Sequence, residues 1–245
     1  MRTVNVLKAL APIDARGVLR DPMLRWMVLL PLLIAAVIRW GVPVITGQLL
    51  ERLEFDLTPY YSLVMSAMLL LMPALCGMII GFLLLDQRDD QTLTALQVTP
   101  LTLNGYIVYR ITVPLVLSII ITMILFSIAN LVQINSLPLL LASLLAAPLA
   151  PIYALFLATF AENKVQGFAL AKAAGAILWP PLFAYFIDSR WRFAFGILPT
   201  YWPMKFFWML PAGDSQAWIY FVLGLIYQLF LLWALLRRFN RVIYR

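Results

Sequence analysis

LDQRDDQTLTALQVTPLTL, residues 85–103, is a charged interruption between two long apolar runs, and its reading decides the fold. Asp86, Asp89 and Asp90 stand close together; Leu93, Ala95, Leu96 and Val98 follow, and Pro100 stops any helix that has formed. A helix starting at Asp86 would carry its acids in the first turn, where the positive end of the macrodipole favours them. Leu93 and Leu96 are three residues apart and share one face. The spacing predicts a short amphipathic helix lying at the membrane surface between two spans, with an apolar face turned to something else.

Working outward, composition agrees with a membrane setting. The chain has 245 residues, 64% hydrophobic and 12% charged, with a mean hydropathy of +0.93. A soluble domain carries about 25% charged residues. The expected class is therefore all-α and polytopic, with residues 1–245 forming a single transmembrane domain. The formal charge is +7 without any histidine, and the positive residues flank apolar runs instead of forming a polar domain. That pattern marks topology and lipid headgroup contact, and not nucleic acid. Cys76 is the single cysteine, so no disulfide can form within the chain, and without histidine there is no conventional zinc site. The first apolar run begins near Trp26 and is long enough to stay as an anchor, so no cleaved signal peptide is expected.

Residues 1–25 carry Arg2, Lys8, Arg16, Arg20 and Arg25, with Val4, Leu7 and Leu10 at three-residue spacing. They read as an interfacial helix, and Asp21-Pro22 turns the chain into the membrane. Six spans follow, over 26–46, 60–85, 106–134, 139–160, 167–187 and 217–236. Arg39 and Lys172 read as snorkelling anchors, and Arg110 marks the entrance of the third span. The second span is long enough to tilt or project, and its Gly77 and Gly81 form a GxxxG pair that lets another helix approach. Pro148 and Pro151 interrupt the fourth span, and Trp179-Pro180-Pro181 kinks or ends the fifth. Residues 188–216 are apolar and aromatic but broken by Pro199, Pro203 and Pro211. They predict two short re-entrant or interfacial helices, with Trp191, Tyr201, Trp202 and Trp208 at headgroup level.

With the N-terminus cytoplasmic, thirteen of the 18 lysines and arginines fall on inner segments and five elsewhere. The bias puts both termini and the 86–103 connection inside, and the aromatic 188–216 stretch outside. No GxxxxGK[ST] phosphate loop, GxSxG, HExxH or CxxC occurs. No facing pair of acids sits at mid-membrane for a proton relay.

Six spans, an N-terminal segment ending in LRDP (19–22), the DQRDDQTLTALQVTPLT connection and a Pro/Trp-rich loop before the last span together resemble an ABC-2 type transporter permease. Within that family the chain is most similar to small drug-export permeases of the fluoroquinolone type. Asp86, Arg88, Asp89 and Asp90 occupy the family's charged places, Thr92-Leu93 its Thr-Leu, and Thr99-Pro100-Leu101 its end. Gln91 stands where glycine is usual, and aspartates replace the more typical glutamates. The resemblance implies a permease subunit without catalysis of its own in the bacterial inner membrane. It would pair with a second permease subunit, as homodimer or heterodimer. ATP and Mg would be bound by a separate ATPase chain, docked on a coupling helix carrying Asp86, Arg88, Asp89, Asp90, Thr92, Leu93 and Leu96. Two other readings stand beside it. One is a lipid-modifying membrane enzyme using Asp86, Asp89 and Asp90 as magnesium ligands or acid–base groups; the other is a membrane scaffold with no energy source. Copurification of a nucleotide-binding chain separates the first reading from both.

Overall fold

Apolar runs of this length must satisfy their backbone groups internally, and the chain does so with helices. The computed structural model describes residues 3–89, 103–211 and 213–243, and no strand occurs among them. The helices are α1 (Thr3–Arg20), α2 (Pro22–Ala36), α3 (Val42–Leu53), α4 (Tyr61–Asp89), α5 (Leu103–Ala129), α6 (Ser136–Ala146), α7 (Leu149–Phe160), α8 (Lys164–Leu178), α9 (Tyr201–Met209) and α10 (Ala217–Ile243). Among the described residues six stretches are long and apolar enough to cross a membrane: Pro22–Leu53, Thr58–Arg88, Gly105–Ala129, Ser136–Phe160, Lys164–Phe186 and Ala217–Phe239.

The first span is longer than its predicted 26–46. Asp21 caps its start, accepting from the Met23 and Leu24 amides at 2.8 and 3.3 Å, while Pro22 fills the first turn where its missing N–H is harmless. A π-helical turn, Val37–Gly41, joins α2 to α3, and Glu54 ends the run in a left-handed conformation at φ 53°. Arg39 lies in the π turn and Lys172 on α8, both exposed as anchors should be.

Spans two and four form the centre. The apolar windows of both are 78% buried, against 17–28% for the other four. Their contact is the close approach expected of the GxxxG pair. A Cβ placed on Gly77 would lie 2.3 Å from the Ala150 carbonyl oxygen, and one on Gly81 would lie 2.9 Å from a Leu157 methyl. Ala150, Ala154 and Ala158 recur every four residues on α7 and keep the facing side equally low.

Proline and asparagine punctuate the other spans. Pro148 breaks the fourth span between α6 and α7, and α8 gives way after Trp179 to a 3₁₀ segment, Pro180–Phe186. The predicted third span, 106–134, ends earlier than its hydropathy suggests. Asn130 takes the left-handed conformation (φ 41°) and stops α5 at Ala129, after which Leu131, Val132 and Ile134 pack on the protein core.

Between spans five and six the two short elements expected are a 3₁₀ segment, Arg190–Ile197, and α9. Trp191 is 80% exposed, as suits an interfacial ring, but Tyr201 is fully buried with Met204, Phe206 and Phe207. The Tyr201 ring, expected at headgroup level, is turned into the protein, because α9 packs inward on α4, α6 and α10. Gly224 of α10 allows this, since a Cβ there would lie 2.5 Å from that of Trp202.

Candidate functional site

Two linked sets of polar side chains lie where α4 ends and α5 begins, flanking the 86–103 connection. α1 lies across this end through Leu10, Asp14 and Gly17, which share one helical face. Gly17 is needed for the contact, because a Cβ there would lie 2.9 Å from a Leu83 methyl. Asp14 is thereby carried into the protein, where it meets Arg110 of α5, only 2% exposed. The pair is bidentate, Nη1 to Oδ2 at 2.8 Å and Nη2 to Oδ1 at 3.0 Å.

Neighbouring side chains complete the arrangement. The Tyr109 hydroxyl donates to Asp14 Oδ2 at 2.8 Å. Gln87 Oε1 accepts from Arg110 Nη2 and from the Tyr106 hydroxyl, both at 2.8 Å, and its Nε2 donates to Asp14 Oδ1 at 3.4 Å. The guanidinium also lies over the Tyr106 and Tyr109 rings, 5.1 and 5.4 Å from their centroids. Burying two charges is costly unless geometry and additional hydrogen bonds offset the lost hydration, and here both are supplied. Among the described residues only Arg110 Nε of this group is buried without a partner.

A second set binds the end of α4 to its other neighbours. Lys164, at the start of α8, reaches Asp21 at 2.5 Å and Asp86 at 2.8 Å. Its hydrogen bond is the largest influence holding the Asp21 carboxyl below the usual aspartate range; partial burial opposes it, and the Met23 and Leu24 amides add to it. Arg88 donates to the carbonyls of Ala161 at 3.2 Å and Glu162 at 3.4 Å, and reaches that of Ala158 at 3.5 Å, closing the C-terminal end of α7.

Asp86 does not begin a new helix. It lies in the last turn of α4, which runs unbroken to Asp89 because no glycine or proline interrupts it there. An acid at that end opposes the macrodipole, and the Lys164 ammonium offsets it. Of the predicted docking residues, Asp86 and Arg88 are thus brought together at the α4 end in contacts within the chain, and Asp89 closes the same helix. Asp90, Thr92, Leu93 and Leu96 lie outside the described residues. Sequence reasoning missed Asp14, Gln87, Tyr106 and Tyr109, and it treated Arg110 as a charge at a span entrance. The available signal was an arginine and an acid each inside an otherwise apolar helical face, which calls for a partner.

Beside the brace, a groove of about 670 Å³ opens between α1, the Asp21 turn and the end of α4, lined in part by Arg16, Arg20, Asp21 and Asp86. Among the described residues no three acids or cysteines stand together as a metal site.

Six apolar spans around a glycine-assisted central pair, with one braced polar end, define a polytopic helical membrane protein. A family model described as "Fluoroquinolones export permease protein Rv2686c-like" matches residues 14–236, and the chain belongs to that family. Two relatives from Mycobacterium tuberculosis, fluoroquinolones export permease protein MT2760 (strain CDC 1551 / Oshkosh) and fluoroquinolones export permease protein Rv2686c (strain ATCC 25618 / H37Rv), are each 36% identical over 239 residues, covering 96% of this chain and 94% of the relative. No solved structure matches the chain. The match agrees with the resemblance to ABC-2 type drug-export permeases, over nearly the whole chain.

Proposed function

We propose that this chain is the membrane-spanning subunit of an ATP-driven exporter of hydrophobic or amphipathic drugs, of the fluoroquinolone kind for which its relatives are named. A separate ATPase chain binds ATP and Mg and docks on the 86–103 connection, with Leu93 and Leu96 as its apolar anchors. A second permease subunit completes the membrane part, and both termini and the connection face the cytoplasm of a bacterial cell.

The observation that supports this reading most is the brace. The connection leaves α4 just beyond Gln87 and re-enters α5 just before Tyr106, Tyr109 and Arg110, and all four side chains converge with or on Asp14 of α1. A push on the connection is therefore delivered to three helices at once, through charge-assisted hydrogen bonds with little slack. Lys164 and Arg88 extend the same coupling to α2, α7 and α8. Such a linkage is what a subunit driven from outside requires.

The test is coexpression with a candidate ATPase, followed by copurification and drug-stimulated ATP hydrolysis. Burying one leucine contributes about 1.5–3 kcal/mol, and each 1.4 kcal/mol is roughly tenfold in affinity. Leu93→Asp with Leu96→Asp is expected to weaken ATPase capture by orders of magnitude while the membrane domain still purifies folded. Wild-type capture by a folded double variant would refute the docking role.

A further inference from the structure

A cleft of about 350 Å³ runs down the side of the bundle, where α8 and α10 both pack on α7 and leave a gap between themselves. Its floor is α7 from Leu149 to Phe160, about 16 Å of helix at 1.5 Å per residue. Leu178 of α8 and Leu231 and Leu235 of α10 form its walls. Apart from the Tyr153 hydroxyl, every side chain lining it is apolar.

One end of this cleft is charged. The Arg238 guanidinium stands 4.5 Å from the centroid of the Phe160 ring, three residues beyond Leu235 on the same helix. Arg238 is exposed and has no carboxylate within ion-pair distance among the described residues. Arg237 and Arg241, also exposed, add to the positive field at this end.

We propose that the cleft holds an acyl chain of an anionic phospholipid, with the headgroup phosphate at Arg238. A long narrow trough with a single hydroxyl, that of Tyr153, along its apolar length suits a hydrocarbon chain. A drug-sized amphiphile would leave its own polar groups unmet there. The Arg238 guanidinium beside Phe160 adds what a bare hydrocarbon would not use, a charge-assisted contact to phosphate. Apolar trough and terminal arginine together match the two halves of one phospholipid. This inference does not depend on the transported molecule.

Native mass spectrometry of the full chain tests it, after release from detergent micelles containing equal dioleoyl phosphatidylglycerol and dioleoyl phosphatidylcholine. The wild type is expected to retain phosphatidylglycerol about fivefold more, the contribution of one arginine near a lipid surface. Arg238→Gln is expected to bring the two lipids to parity, while Arg39→Gln, removing an exposed arginine elsewhere, leaves the preference intact. Ala174→Phe and Leu235→Trp each fill the trough and are expected to lower retention of both lipids. Preference retained by Arg238→Gln overturns the proposal, as does wild-type retention of lipid by either folded trough-filling variant. Displacement of the bound lipid from the wild type by norfloxacin, with norfloxacin binding lost in Ala174→Phe, would make the occupant a drug and overturn the lipid assignment.

Discussion

Asp14 and Arg110 show how one pair of residues can decide the placement of a whole helix. Once both are buried, removing either leaves an uncompensated charge, at a cost of about 3–5 kcal/mol. Arg110→Ala should therefore lower the thermal stability of the detergent-solubilised chain sharply, whereas Asp14→Leu with Arg110→Leu together should lower it less than Arg110→Ala alone. A double variant no more stable than the single would show that the pair is not energetically coupled. Asp21 offers a pH test. Its carboxyl is held below the ordinary value chiefly by the Lys164 hydrogen bond, so its contribution is fully present above the unfolded value and is lost as pH falls through the folded one. Stability curves of the wild type and Asp21→Asn should differ at neutral pH and converge as pH drops below about 4. A difference that persists at low pH would remove the ionised carboxylate as its cause.

Among the helices, the α4–α7 contact is the one that tolerates least change. A methyl at Gly77 would meet backbone oxygen at 2.3 Å, which a side-chain rotation cannot relieve, whereas a methyl at Gly81 would meet mainly the movable Leu157 side chain. Gly77→Ala should cost about 1–3 kcal/mol or more as an overpacking change, and Gly81→Ala less. Equal stabilities of the two variants in a thermal shift assay would show that the central pair packs more loosely than described. The breaks at Pro148 and Asn130 have the opposite effect. Pro148 divides the fourth span into two helices, while Asn130 ends the third early and turns Leu131 and Val132 back onto the core.

For the molecule as a whole, the arrangement of ends matters most. Leu10 of α1, Leu85 of α4, Tyr106 of α5 and Phe239 of α10 share one apolar cluster, so parts of both terminal helices meet the α4 and α5 ends that flank the connection. Cysteines placed at positions 13, 89 and 241 in a Cys76→Ala background should be labelled from the same side of the membrane. With the excess of basic residues at this end, that side is expected to be the cytoplasm. Labelling of position 89 from the opposite side to position 241 would contradict the shared end, and labelling of all three only from outside would invert the orientation.

Hydrophobic length, proline positions and the distribution of lysine and arginine are properties of the chain alone, and they determined the number of spans, the breaks at Pro148 and Trp179, and the Gly77/Gly81 approach. They act locally or through the membrane, whose thickness is the same for any fold. Three things were beyond their reach. The partner of Gly77 is Ala150, distant in sequence. Asp86 continues α4 instead of starting a helix, and its carboxylate is met by Lys164, which only folding brings near. Asp14 and Arg110 are 96 residues apart, and neither position by itself names the other as its partner. The burial of a charge is decided by what stands opposite it, and that is a property of the tertiary structure.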